Sequence, residues 1–120
     1  MIPKFRAWEK IHNYMFEPFA LVFNENGSIE IDDGHDMLDI KYVKLMQSTG
    51  YVDIHGEEIY EGDIVLLEGH VVCVYWENKK GMFMLKDNKY ITTTLEGCNN
   101  LTIIGNIYEN KELLENDTKI

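Results

Sequence analysis

The sequence predicts a mainly β protein with short helices, in which a small SH3-like barrel forms the C-terminal half and packs on an N-terminal β-rich subdomain. Two observations support this fold class. Short apolar runs recur along the chain between tight turns of glycine, asparagine and aspartate, and β-branched and aromatic residues dominate those runs. The 120 residues fit a single compact domain, residues 1–120, with a possible sub-boundary near 45–60, where the acidic N-terminal half meets the C-terminal runs.

The N-terminal half contains strands that alternate or end at turn signals. Residues 4–8 alternate polar and apolar side chains, and residues 19–23 form an apolar run. Asn26-Gly27 follows that run and is a strong hairpin signal, because both residues tolerate a positive φ. Ile29 and Ile31 alternate with Glu30 on the returning strand. A hairpin followed by a polar loop at 32–36 is therefore expected.

The conformation of residues 37–46 stays open between a short helix and a strand. β-Branched and aromatic residues favour a strand from about Ile40. The following segment, 47–63, is rich in turn formers and is expected to lead the chain into the C-terminal strands.

The C-terminal half has the clearest β pattern, with turns at Gly69, at 78–81 and at 87–88. Five strands are predicted, at residues 63–67, 71–76, 82–85, 90–92 and 102–108. Residues 109–115 are expected to form one or two helical turns. Short strands at this spacing are typical of a small barrel or sandwich.

The formal charge of −10 disfavours nucleic acid as a partner, because nucleic-acid-binding proteins usually carry basic patches. Residues 11–40 contain seven acids and no lysine or arginine. Residues 45–78 contain seven more acids, again without a base. Two interpretations stay open: solvated acids that keep the protein soluble, or an acidic face for a basic partner.

Cysteine use and hydropathy predict a soluble protein of a reducing cytoplasm. Cys73 and Cys98 match no metal-binding spacing, and Cys73 lies in an apolar run where burial is expected. The first ten residues mix charges and aromatics and do not resemble a signal peptide. No apolar stretch approaches the roughly 20 residues of a membrane helix, so no membrane association is expected.

No catalytic, metal-binding or cofactor-binding residue is predicted. The four histidines are scattered, and the acidic loop 32–36 lacks the ligand spacing of a calcium-binding EF-hand. No nucleophile elbow, catalytic-cysteine signature or glycine-rich phosphate loop is present. The sequence therefore predicts a protein that is not an enzyme and has no cofactor.

Three aromatic residues are candidates for an interaction surface, although aromatic residues in β proteins more often pack in the core. Trp8, Tyr60 and Trp76 are chosen because tryptophan and tyrosine are common anchors of protein interfaces. Lys79 and Lys80 follow Trp76 closely and are added to the candidate surface.

Four ordered sequence blocks, which span nearly the whole chain, resemble one known family. The blocks are KFRAWEK at 4–10, LMQSTG at 45–50, GEEIYEGDIV at 56–65 and IGNIYEN at 104–110, followed by Leu113-Leu114. They resemble the YopX family of phage and prophage proteins of Gram-positive bacteria. Lys111 is a departure, since many members have proline there, and it affects only the tail.

The resemblance implies a phage or prophage accessory protein whose biochemical role is unassigned. It supplies no catalytic residues and suggests self-association into a homo-oligomer. Within the blocks, the 61–65 segment is similar to the entry of an SH3-like barrel, and Gly105 is expected to allow a close approach by another group.

The leading functional hypothesis is a non-enzymatic protein-binding or assembly module with a host or phage protein as partner. One alternative is an acidic protein that mimics nucleic acid and inhibits a host enzyme. A further alternative is nucleic-acid binding by the small barrel through Lys79, Lys80, Lys86 and Lys89, with nearby aromatic residues as stacking partners.

Overall fold

The structure, a computed structural model, describes residues 4–88 and 92–116, and these residues confirm the prediction of a mainly β protein. The chain divides into two compact units, an N-terminal unit (Met1–Gln47) and a C-terminal unit (Ser48–Ile120). The division lies inside the interval 45–60, where the sequence places a sub-boundary. Among the described residues, no helix is long and apolar enough to cross a membrane.

The N-terminal unit is built from short antiparallel strands. They are β1 (Phe5–Glu9), β2 (Tyr14–Phe16), β3 (Ala20–Phe23), β4 (Ile29–Asp32), β5 (Met37–Asp39) and the first half of β6 (Val43–Val52). β1 pairs with β2 on one side and with β6 on the other, and β3, β4 and β5 form a three-stranded sheet in that order. The predicted hairpin is confirmed, since β3 and β4 pair across the turn at Asn26-Gly27.

The core of this unit follows from the alternation of the sequence. Ala7, Ile31 and Val43 are buried together, and Leu21 and Leu38 pack against them. Neighbouring residues of a strand point to opposite faces, so Glu30 and Asp32 lie on the face of the sheet opposite to Ile31. One face of the three-stranded sheet is therefore apolar, and the other carries the carboxylates together with apolar residues such as Val22 and Met37.

The expectation of a strand from about Ile40 is wrong by three residues. β5 ends at Asp39, residues Ile40–Tyr42 form a 3₁₀ turn, and β6 begins at Val43. The Asp39 carboxylate accepts a hydrogen bond of 2.9 Å from the Lys41 backbone N–H and caps this turn. A local side-chain bond therefore overrides the β preference of the residues that follow it.

The C-terminal unit contains the second half of β6 and a five-stranded antiparallel sheet. Its further elements are β7 (Glu58–Tyr60), β8 (Asp63–Leu67), β9 (His70–Glu77), β10 (Met82–Lys86), β11 (Thr92–Thr94), β12 (Thr102–Asn106) and α1 (Glu112–Asn116). The sheet order is β11-β10-β9-β8-β12, which places β11 and β12 at its two edges. The SH3-like detail of the prediction is not confirmed. Of the predicted strand at 90–92, residues 90 and 91 lie outside the described residues.

Both faces of the five-stranded sheet are covered. Val65 and Val72 belong to a core on one face that includes Leu85, and their neighbours Ile64 and Cys73 belong to a cluster on the other face. Leu113 and Leu114 from α1, and Ile107 from the turn after β12, pack against this second cluster. Continuous apolar runs such as 71–74 are explained by this two-sided burial.

Part of the segment 47–63 is strand rather than turn. β6 continues to Val52, and its pairing with β7 is interrupted by a bulge after Ser48. Hydroxyl groups replace the lost ladder bonds, because Thr49 Oγ1 donates to the Ile59 carbonyl at 2.7 Å and accepts from the Tyr51 N–H at 3.1 Å. Turn-forming residues thus serve here to bend a strand.

The turn between β8 and β9 contains a residue in an unfavourable conformation. Leu67 pairs with His70, so Glu68 and Gly69 form a two-residue hairpin loop. Both have a positive φ, 49° at Glu68 and 83° at Gly69, as a type I′ turn requires. Asparagine adopts this conformation more readily than glutamate does.

Replacing Glu68 with asparagine is expected to raise the free energy of unfolding by about 0.5–1 kcal/mol, because the left-handed conformation then costs less. Chemical denaturation of both proteins measures this change. Glu68→Gln is the control, since it removes the charge and keeps the conformational cost. If Glu68→Gln stabilises the protein as much as Glu68→Asn does, charge rather than backbone conformation is the cause.

Candidate interaction surfaces

Buried acids of the described residues bind backbone N–H groups. Asp53 Oδ1 accepts from the N–H groups of His55 and Glu57, both at 2.9 Å, and Asp53 Oδ2 accepts from the Ile103 N–H at 3.1 Å. Burial acts to raise the pKa of Asp53, but these hydrogen bonds outweigh it and the pKa is lowered. A carboxylate held in this way stabilises the loop 53–57 and is poorly suited to proton transfer.

Glu9 has the same role in the turn after β1. Its carboxylate accepts from the Ile11 and His12 backbone N–H groups, and His12 Nδ1 lies 2.7 Å from Glu9 Oε2. Burial acts to raise the pKa of Glu9, but the hydrogen bonds, with that of the His12 side chain foremost, lower it below its usual range. This pair therefore has a structural explanation.

The two thiols are held in the protonated form. Cys73 is buried in β9, and burial raises its pKa, although nearby Lys86 acts in the opposite direction. Burial and the negative charge of Glu68 raise the pKa of Cys98, whose Sγ donates to the Thr94 carbonyl at 3.1 Å. A raised pKa lowers the thiolate fraction and with it the nucleophilicity.

Two aspartate carboxylates of the acidic loop 32–36 accept hydrogen bonds from the backbone of the same loop. Asp33 Oδ1 accepts from the His35 and Asp36 N–H groups at 2.8 and 2.7 Å, and these bonds lower the pKa of Asp33. Asp32 Oδ1 accepts from the Gly34 N–H at 2.8 Å. Within residues 4–88 and 92–116, no three histidine, cysteine, aspartate or glutamate residues are grouped to hold a metal ion.

The C-terminal unit has an open cleft of about 650 Å³ next to the β8–β9 turn. Its lining residues are Leu66, Leu67, Glu68, Gly69, Gly97, Cys98, Asn99, Asn100 and Thr102. The lining combines amides, one carboxylate and the protonated Cys98 thiol. No set of groups in it converges on a reacting atom in the manner of a catalytic site.

The N-terminal unit has a cleft of about 430 Å³ with a different character, which we call the acidic cleft. Its lining residues are Glu9, Ile11, His12, Tyr14, Glu30, Asp36, Met37, Leu38, Asp39 and Tyr42. Four of the ten large hydrophobic side chains that are exposed among the described residues line it: Ile11 (60% exposed), Met37 (46%), Tyr42 (42%) and Tyr14 (36%). Apolar groups and carboxylates therefore share one concave surface.

The five residues predicted as an interaction surface belong to different units of the chain and differ in exposure. Trp8 is only 8% exposed in the middle of β1, which leaves too little of its ring accessible for an interface anchor. Tyr60 is half-buried in β7. Trp76 is 41% exposed on β9, and Lys79 and Lys80 lie in the turn that follows it.

Trp76, Lys79 and Lys80 thus occupy one hairpin, β9–β10. Trp76 pairs with Phe83 across the strands, and the two rings make an edge contact at 5.0 Å between centroids. This contact holds the exposed indole in one orientation. Whether these residues bind a partner stays a prediction.

The acidic cleft was not predicted from the sequence. Its members come from β1, from the β1–β2 turn, from β2, from the segment β4–β5 and from the 3₁₀ turn, so no short motif contains them. One signal was available, because the base-free stretch 11–40 contains most of the acidic and apolar residues that line the cleft. The sequence did not show which apolar residues of that stretch stay exposed.

Comparisons with known proteins identify the family and the fold. The family model described as YopX protein matches residues 4–115. The crystal structure of protein EF1440 from Enterococcus faecalis is similar with 27% identity and a TM-score of 0.66, over 95% of this chain and 99% of that chain. The X-ray structure of protein YopX from Bacillus subtilis is similar with 23% identity and a TM-score of 0.60, over 92% of this chain and 95% of that chain. No curated protein matches the chain.

The match covers nearly all of the chain, and it includes the four sequence blocks that suggested the resemblance. Two separately solved structures share the fold over more than nine-tenths of the chain. The chain therefore belongs to the YopX family.

Proposed function

We propose that this chain is a phage or prophage accessory protein that works as a non-enzymatic protein-binding or assembly module in the host cytoplasm. The observation that carries the proposal is the acidic cleft, where four exposed hydrophobic side chains meet carboxylates. Exposed apolar residues that cluster in this way are typical of interaction sites. Its partner is a host or phage protein.

The hydrogen bonds of three acids and the pKa values of the two cysteines support the same proposal. Glu9, Asp53 and Asp33 bind backbone N–H groups, and both cysteines have raised pKa values. These groups stabilise loops or pack in the protein, so they support a scaffold that presents surfaces rather than a site for acid–base or nucleophilic chemistry.

A second candidate function is inhibition of a host enzyme by mimicry of nucleic acid. It is favoured by the seven acids and the absence of bases in residues 11–40. A mimic needs rows of carboxylates, whereas the acidic cleft interleaves them with Ile11 and Met37. Competition by DNA for the partner would favour mimicry over the proposed module.

Direct nucleic-acid binding by the C-terminal unit is less well supported. Lys86 Nζ lies 4.4 Å from the centre of the Tyr75 ring, and so this cation already has an aromatic partner. Lys79 and Lys80 are exposed beside Trp76, but the overall charge of −10 opposes binding. A mobility shift with single-stranded DNA at low salt would support this alternative.

Site-specific photo-crosslinking in living cells tests the proposed function. A photoreactive phenylalanine analogue is placed at Tyr42 in the acidic cleft, at Trp76 on the β9–β10 hairpin, or at Glu25 in the β3–β4 turn as a control. We expect a discrete adduct with one protein from Tyr42 or Trp76, and none from Glu25. Mass spectrometry identifies the adduct.

Uniform labelling at all three positions would indicate random collisions, and absence of adducts at all three would contradict the proposal. An adduct between two copies of this chain would indicate assembly into the homo-oligomer that the family resemblance suggests.

A further inference from the structure

We propose that the acidic cleft binds an extended segment of another protein in which lysine or arginine side chains alternate with apolar ones. This inference rests on the proposed function and adds the site and the chemistry of its partner.

The apolar part of the cleft needs a hydrophobic ligand group. Ile11, Met37 and Tyr42 are each more than two-fifths exposed, although apolar side chains gain free energy when they leave water. They come from three separate elements, and their exposed surfaces meet in one cavity of about 430 Å³. An aliphatic side chain of a partner would cover them.

The carboxylates of the cleft need a cationic ligand group. Glu30 on β4 is directly opposite Asp39 on β5, and like charges at opposite positions destabilise a sheet. Glu30 accepts from the Asn24 side chain and Asp39 from the Lys41 N–H, so neither bond comes from a cation. Within the described residues, Glu30, Asp36 and Asp39 form no salt bridge with lysine or arginine. A lysine or arginine from a partner would relieve the repulsion.

Two lysines near the cleft contact groups other than its carboxylates. Lys41 Nζ lies 5.0 Å from the centre of the Tyr42 ring, and Lys10 Nζ donates to the Lys41 carbonyl at 3.4 Å. The His12 side chain is hydrogen-bonded to the Glu9 carboxylate. These contacts place positive charge at the Tyr42 side of the cleft, so we expect the partner's cations to lie towards Glu30 and Asp36.

An extended segment is the form that suits the cleft. All three residues of β5 line it, and β5 is an edge strand of the three-stranded sheet. The side of an edge strand that faces away from its neighbour presents backbone N–H and C=O groups that an added strand can use. By the register of β4 and β5, Leu38 lies on one face of the sheet, and Glu30 and Asp39 lie on the other. Alternating side chains of the added strand would therefore point to the face of Leu38 and to the face of the two carboxylates in turn.

A second copy of this chain is a poor occupant of the cleft. Each copy carries seven acids and no lysine or arginine between residues 11 and 40. Two such surfaces repel each other, and nucleic acid is repelled for the same reason. The charge of the cleft therefore favours a basic segment from a different protein.

Three short synthetic peptides test the proposal with the purified full-length chain. In the first, lysine alternates with leucine; in the second, glutamate replaces lysine; in the third, serine replaces leucine. Backbone amide shifts in NMR spectra locate binding, and titrations measure affinity. We expect only the lysine–leucine peptide to bind, with the largest shifts at residues 36–42, and the affinity to fall as salt concentration rises.

Matched variants distinguish binding in the acidic cleft from nonspecific binding elsewhere on the protein surface. Met37→Ser and the double variant Glu30→Gln, Asp39→Asn are each expected to weaken binding about tenfold, a loss of about 1.4 kcal/mol. Phe23→Ser and Glu25→Gln are the controls, expected to change affinity less than about twofold. Phe23 is a suitable control because it is also an exposed apolar residue on an edge strand, β3, of the same sheet. Asparagine at position 39 keeps the cap of the 3₁₀ turn.

The possible results discriminate between the proposals. Equal binding of the glutamate–leucine peptide, shifts centred on residues 19–23, or unchanged affinity in the cleft variants would each overturn the inference. A crosslinked partner at Tyr42 together with no binding of the lysine–leucine peptide would also overturn it, while the proposed function would still stand. Self-association that the Met37→Ser variant abolishes would show a second copy to be the occupant.

Discussion

Replacing Asp53 with alanine is expected to lower the free energy of unfolding by about 3 kcal/mol, because three backbone N–H groups lose a charged acceptor. His55 and Glu57 lie in the same loop as Asp53, but Ile103 lies on β12, 50 residues away. The Ile54 N–H also donates to the Leu101 carbonyl at 2.9 Å, so the loop and the start of β12 are joined at two points. Chemical denaturation measures the loss.

Asp53→Asn is the matched variant for this prediction. Asparagine Oδ1 can still accept from His55 and Glu57, but its Nδ2 group would face the Ile103 N–H, donor against donor. We expect a loss of about 2 kcal/mol, so that the free energy of unfolding lies between that of the wild type and that of the alanine variant. Equal stability of all three proteins would show that Asp53 does not hold the loop to β12.

The same variants predict a change in the acid denaturation curve. The pKa of Asp53 is lower in the folded protein than its unfolded value of about 3.9, so the unfolded state binds the proton more tightly. The stabilisation is complete above that unfolded value and is lost as the pH falls through the folded pKa. We expect the stability of the wild type to fall more steeply below about pH 4 than that of Asp53→Asn.

Replacing Gly105 with alanine is expected to lower the free energy of unfolding by about 1–3 kcal/mol, because the added methyl group has no room. A Cβ at this position would lie 2.5 Å from Asn110 Oδ1 and 2.8 Å from Asn110 Cβ. Asn110 is itself held, since its Oδ1 accepts from the Asn106 N–H at 3.2 Å and its N–H donates to the Asn106 carbonyl at 2.8 Å. The side chain cannot turn away without losing a bond.

A double-mutant cycle tests the cause of this effect. Asn110→Gly removes the whole side chain, and by itself it should lower the stability because a hydrogen bond is lost. In the double variant, however, Gly105→Ala should lower the stability less than it does in the wild type. Additive costs would contradict the steric explanation. Gly105 was expected from the sequence to admit a close neighbour, and the structure identifies that neighbour as Asn110.

Local pattern was sufficient for the strands of the C-terminal half and for their turns. The predicted strand at 63–67 coincides with β8. The prediction at 71–76 is one residue shorter than β9 at each end, and the prediction at 82–85 is one residue shorter than β10 at its C-terminal end. Glycine and asparagine in tight turns and β-branched residues between them act through the conformations available to each residue, so they can be recognised without knowledge of the fold.

Predictions failed where a side chain bonds the backbone. The predicted closing strand at 102–108 ends at Asn106, since the Asn106 side chain accepts from the Tyr108 and Glu109 N–H groups, both at 2.9 Å. Asp39 acts similarly before β6. Asparagine and aspartate compete with the strand ladder in this way, and their residue type alone does not reveal whether they do.

The amino-acid sequence by itself determined the β class of this protein, the turns of its hairpins and its YopX family, because these depend on local conformational preference and on ordered blocks of residues. Only the tertiary structure decided that Trp8 is buried, that Asp53 reaches Ile103, and that Met37 and Tyr42 share a cleft with carboxylates. The physical reason is that burial and side-chain contacts depend on which strands become neighbours, and strand pairing joins residues that are distant in the chain.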